Sequence, residues 1–139
     1  MPTSVTALRG QIVSLRANPF LQPSAACVTY HPDGLVIMQD GHILAAGPYD
    51  VTAPVLPAGV TPVYYPDHLI MPGFIDTHVH YPQIQMIGAY GEQLLEWLNT
   101  YTFVTEQQFS DRAHADRVAE VFLRELLRAG TTTAMVYCT

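Results

Sequence analysis

The chain predicts an α/β fold in two parts: a small antiparallel β domain over residues 1–70, then a strand, loop, helix and strand over residues 71–139. Three observations carry that prediction. Asp40-Gly41 joins the apolar runs Leu35 to Met38 and His42 to Ala46, and both of its residues tolerate the positive φ that a tight hairpin needs. Ala115, Val118, Ala119, Phe122, Leu126 and Ala129 keep a helical period up to Gly130, a natural residue for the position just past a helix. On either side of that helix, Met71 to His80 and the β-branched run Thr131 to Tyr137 have strand character, which makes one βαβ unit.

Taken in order, Ala7 to Leu15 alternates apolar and polar residues and predicts the first strand, which Asn18-Pro19 and Gln22-Pro23 end. A loop is expected from there to Leu35. Gly47-Pro48 closes the hairpin, and Pro54, Pro57, Gly59 and Pro62 keep the chain irregular until Val63-Tyr64-Tyr65. Pro72-Gly73 punctuates the approach to the next strand. The connection from Tyr81 to Ser110 is far longer than the usual two to six or so residues between strand and helix, and long loops of that kind commonly bind something. Within it, Leu94, Leu95, Leu98 and Tyr101 predict a short amphipathic helix with Trp97 at its margin, packed as a lid. Ser110 is the expected N-cap of the long helix, with Asp111 in its first turn. Thr131 to Tyr137 is expected to be a buried parallel strand.

Composition excludes several classes of function. With 49% hydrophobic residues and a mean hydropathy of +0.15, 139 residues suffice for a core. The formal charge of -6 comes from twelve acidic residues against six arginines scattered along the chain, so no nucleic-acid footprint is visible. Cys27 and Cys138 lack CxxC spacing, which argues against a disulfide or a cysteine zinc site and fits a reducing cytoplasm. No run approaches the roughly 18 apolar residues of a membrane span, and no signal-type start is present. A cytoplasmic protein with neither nucleic-acid nor membrane partners is expected.

The chemistry gathers at Asp76-Thr77-His78-Val79-His80. On a strand, Asp76, His78 and His80 share one face and Ile75, Thr77 and Val79 the other. Imidazoles two residues apart lie roughly 6 to 7 Å apart at Cα, close enough to converge on one ion. They fall at the C-terminal end of their strand, where barrel enzymes place their active sites. A bare His-X-His also arises from ordinary packing, so the surrounding residues decide. His31, His42 and His68 have no partner at ligand spacing and are assigned no chemistry.

Pro72-Gly73-Phe74-Ile75-Asp76-Thr77-His78-Val79-His80 resembles the first-strand metal motif of the amidohydrolase superfamily. Tyr81-Pro82-Gln83, Gly88 to Leu98 and Leu127 to Ala134 are similar to the guanine deaminase family within it. The likeness is dense from Pro72 onward and looser before it. It implies that residues 71–139 are the first βαβ unit of a truncated (β/α)8 TIM-like barrel. It also implies that residues 1–70 form part of a small β sandwich whose remaining strands come from the other end of a longer enzyme. That enzyme would hydrolyse guanine to xanthine and ammonia with Zn2+, and it admits a homodimer.

His78 and His80 would be two of the zinc ligands, in a site that leaves one coordination position open for water. The remaining ligands and the general base are expected beyond residue 139, so no catalytic residue is assigned within this chain. Gln83 matches the family's substrate-contacting glutamine, and its amide offers both a donor and an acceptor to the mixed edge of a purine; His80 is the second substrate contact. Asp76 is either a hydrogen-bond acceptor for a ligand imidazole or an inward polar residue satisfied elsewhere. Glu92 and Glu96 suit a solvated helix face, while Tyr90 and Trp97 suit a pocket wall and core packing equally. The His-x-Glu and Pro-Cys-x-x-Cys patterns of the cytidine-deaminase type are absent. Two other readings stay open: an amidohydrolase acting on a different cyclic amine, amide or halogenated ring, and a noncatalytic truncated product or interaction fragment.

Overall fold

A computed structural model describes residues 4–139 and has the expected mixed α/β character. The chain divides into two compact units, Met1–Pro72 and Gly73–Thr139.

The first unit is built on one four-stranded sheet of β1 (Val5–Leu15), β2 (Val28–Gln39), β3 (His42–Pro48) and β4 (Val63–Ile70), in the order β3-β2-β1-β4. Asp40 and Gly41 take φ of 50° and 82°, the left-handed pair that lets a two-residue turn follow the twist of its strands. The hairpin therefore forms where its local chemistry asks for it.

Two features depart from expectation. β2 begins at Val28 rather than Leu35, because β1 offers it ladder partners as far as Leu15↔Val28 and a register shift between Gly10 and Ile12 absorbs the irregularity. Pairing overrides the turn signal of Pro32-Asp33-Gly34. The sheet is also mixed and not purely antiparallel, since β4 runs parallel to β1. Parallel neighbours need a crossover of roughly a dozen residues or more, and β2, β3 and the short helices Tyr49–Thr52 and Ala53–Val55 supply it.

Alternation along β1 and β2 sends Ala7, Leu35 and Ile37 into one cluster, where Tyr49, Leu56 and Val60 pack against them. At its margin Arg9 donates two hydrogen bonds to Asp33, Nε to Oδ1 at 2.8 Å and Nη2 to Oδ2 at 2.7 Å, with its guanidinium 3.5 Å from the Tyr49 ring centre. The hydrogen bond from Arg9 holds the Asp33 carboxyl below its usual range, and Asp33 raises the guanidinium's value in return.

In the second unit β5 (Phe74–His80) pairs parallel with β6 (Thr131–Tyr137), joined through the long helix Arg112–Arg128. Asp111, and not Ser110, caps that helix: its Oδ1 accepts from the Ala113 N–H at 3.0 Å. Ser110 is spent on the turn before it, donating Oγ–H to the Gln107 carbonyl at 2.9 Å. Val118 and Phe122, one turn apart, are the buried face.

β6 is parallel as expected but not buried, and Met135, Val136 and Tyr137 are all exposed. A parallel strand is buried only when layers cover both faces, and this sheet has two strands. The predicted lid helix also differs. Leu94–Trp97 is helical, widens into a π turn at Leu98–Thr102 and continues as Phe103–Glu106. Leu94 and Leu95 face solvent, while Thr102 is buried and Trp97 is turned inward, donating Nε1–H to the Ala89 carbonyl at 2.9 Å. The extra residue of a π turn shifts the face that the apolar spacing selects. Gly91 permits the Trp97 contact, since a Cβ there would stand 2.7 Å from that side chain.

Candidate functional site

The site grows from an irregularity in β5. Against β6, Asp76 pairs with Ala134 and Val79 with Val136, so three steps on one strand meet two on the other. Thr77 and His78 have no register partner, which is the signature of a β-bulge, a feature common beside active sites. Asp76 supports the bulge: its Oδ1 accepts from the main-chain N–H of His78 at 3.0 Å. The carboxylate's hydrogen bond is thus to the backbone that carries the first histidine.

His78, within the bulge, and His80, just past it, bring their Nε2 atoms to 3.1 Å, with ring centres 5.1 Å apart. At that separation the two Nε2 atoms are within hydrogen-bond reach of each other, the donor being set by the tautomers. The separation also suits a metal. Two ligands at 2.0–2.1 Å from Zn2+ at a tetrahedral angle stand roughly 3.3 Å apart, so a shift of a few tenths of an ångström would accommodate the ion. The donor set consists of imidazole nitrogen atoms, a type that suits zinc, and among the described residues no group of three or more His, Cys, Asp or Glu side chains is gathered.

His78, His80 and Gln83 line one open concavity of about 470 Å³, together with Met86, Trp97 and Phe122. That volume falls in the range of small-molecule sites. Pro82 and Gln83 lie in the 3-10 segment Tyr81–Met86 that follows β5 directly, so the glutamine sits one short turn past the metal-type pair. The Gln83 Nε2 donates to Glu106 Oε1 at 3.3 Å, which leaves the amide oxygen available as an acceptor.

Of the remaining sequence-derived candidates, Tyr90 is largely exposed, Glu92 lies in the loop ahead of the Leu94–Trp97 helix, and Glu96 is exposed on it. Trp97 is a wall of the concavity. Sequence reasoning missed Glu106 and Tyr137. Glu106 reaches Gln83 across 23 residues, and Tyr137 reaches the histidines through strand register, so neither leaves a local spacing signal.

A parallel βαβ unit with paired imidazoles at the C-terminal end of its first strand has the layout of α/β proteins that place their sites at strand ends. The amidohydrolase family matches residues 69–139, and the chain belongs to that family. The guanine deaminase of Escherichia coli (strain K12) is 40% identical over 139 residues, which cover 98% of this chain and 31% of that protein. The guanine deaminase of Mus musculus is 47% identical over 70 residues, 50% of this chain and 15% of that protein. The crystal structure of guanine deaminase from Bradyrhizobium japonicum superposes with a TM-score of 0.88 at 37% identity, covering 98% of this chain and 30% of that one. The chain thus spans less than a third of the length of these relatives.

Proposed function

We propose that this chain carries the opening part of the active site of a zinc-dependent guanine deaminase, an enzyme that hydrolyses guanine to xanthine and ammonia. One observation carries the reading most directly: both imidazoles of a metal-type pair and a purine-competent amide border one concavity. The relatives named guanine deaminase, similar over nearly the whole chain, support the substrate class.

In this reading His78 and His80 would hold zinc through Nε2, each keeping its proton on Nδ1. Zinc bound there supplies Lewis acidity, which brings the pKa of water toward about 7. Asp76 fixes the backbone of the first ligand, Gln83 orients the purine edge with its free carbonyl oxygen, and His80 completes the substrate contact. Trp97 and Met86 exclude water from the apolar side. Such a site fits one strand-loop-helix unit of a TIM-like barrel, with residues 1–70 as part of a companion β domain. The two cysteines, Cys27 and Cys138, are both free, which suits the reducing cytoplasmic setting of this reading.

The test is ammonia release by a protein carrying these residues within its complete sequence, across a panel of purines and pyrimidines. Guanine is the expected substrate, and activity confined to a non-purine would rule the reading out. A two-nitrogen donor set also favours a second statement: the isolated 139 residues should not turn over guanine. Turnover by the pure chain would refute that.

A further inference from the structure

We propose that Tyr137 is a positioning residue for the imidazole pair, its ring forming one platform on which His78 and His80 are both held ready for the metal. The proposal rests on the metal reading above.

The geometry is specific. Tyr137 is the register partner of His80 on the adjacent parallel strand, so the two side chains leave the sheet on the same face. Its ring centre lies 4.5 Å from that of His78 at an interplanar angle of 30°, and 5.1 Å from that of His80 at 23°. One phenol therefore stacks on both rings. These are offset-stacking distances for aromatic pairs.

The histidines have need of such support. His78 is exposed and sits where β5 has no register partner, so little aliphatic packing restrains its rotamers. Two unrestrained rings would have to be ordered when the ion arrives, and that ordering weakens binding. A flat surface shared by both removes much of the cost in advance. Within Tyr137 the ring is the part that acts, because the hydroxyl is directed to Met135 Sδ at 3.8 Å, along its own strand. Phenylalanine should therefore serve as well as tyrosine, and a branched aliphatic side chain should not.

The experiment uses the 139-residue chain, titrated with Zn2+ by calorimetry, with far-UV circular dichroism as the control for folding. Tyr137→Phe should bind within about twofold of the unsubstituted chain, and Tyr137→Leu roughly tenfold more weakly, the scale expected from releasing stacked side chains. A second measurement needs neither metal nor variant: ring currents from the tyrosine should shift the imidazole C–H proton signals of His78 and His80 upfield in the metal-free chain. Equal zinc affinity in a folded Tyr137→Leu variant, or unshifted imidazole signals, would overturn the proposal. If the signals are shifted but the unsubstituted chain binds no zinc, the positioning role is overturned, whereas the metal reading of the longer enzyme is decided separately by the ammonia-release assay.

Discussion

Leu35 and Ile37 in the first unit are 0% and 1% exposed, whereas Phe74 and Ile75, which open the first strand of the second, are 55% and 69% exposed. All four are strand residues with apolar side chains, so residue type does not explain the difference. β2 lies between β1 and β3 and has Tyr49, Leu56 and Val60 packed over its core residues, while among the described residues β5 pairs with β6 alone. Within this chain the first unit encloses apolar strand residues and the second leaves them open, and the second carries the candidate site. His78, His80, Gln83 and Tyr137 all lie in the second.

That contrast predicts where substitutions will cost stability and where they will cost binding. The largest effect on folding should come from Leu35→Ala, which empties a fully enclosed position and should destabilise by about 2–5 kcal/mol in urea unfolding. A loss below about 1 kcal/mol would mean that the first unit's core is looser than its geometry. Next is Asp111→Ala in the second unit, which removes a cap and should cost about 1 kcal/mol, while Ser110→Ala should cost less. The reverse order would return the cap to Ser110.

The smallest effect concerns Arg9 and Asp33, an ion pair open to solvent and to screening by salt. Because the folded state lowers the Asp33 pKa, the pair's stabilisation is present above the ordinary carboxylate value of 3.8 and is lost as pH falls through the lower folded value. Asp33→Asn should therefore flatten the acid limb of the stability profile below about pH 3.8. A variant whose acid limb matches that of the unsubstituted chain would show that the pair contributes nothing.

Legibility in the sequence followed the range of the interaction. Asp40-Gly41 announced its hairpin because the turn is written in two adjacent residues. The long helix showed through its period, and the shared side of His78 and His80 through their spacing. Long-range pairing was legible only in the βαβ unit, where a helix between two strand-like runs implies a parallel pair. Nothing local says that β4 joins β1 in parallel, that β2 extends back to Val28, or that β6 brings Tyr137 under both imidazoles. Ser110 and Asp111 are both good caps side by side, and the choice between them depends on the preceding turn. The π turn at Leu98–Thr102 re-aims a face that regular helical spacing assigns otherwise.

X-ray absorption at the zinc edge of the zinc-loaded chain tests the pairing of His78 with His80 most directly. Nitrogen neighbours at about 2.0–2.1 Å with imidazole scattering are predicted, and this signal should disappear in a His78→Ala, His80→Ala double variant. A zinc shell made of oxygen alone, unchanged by that double substitution, would contradict the account.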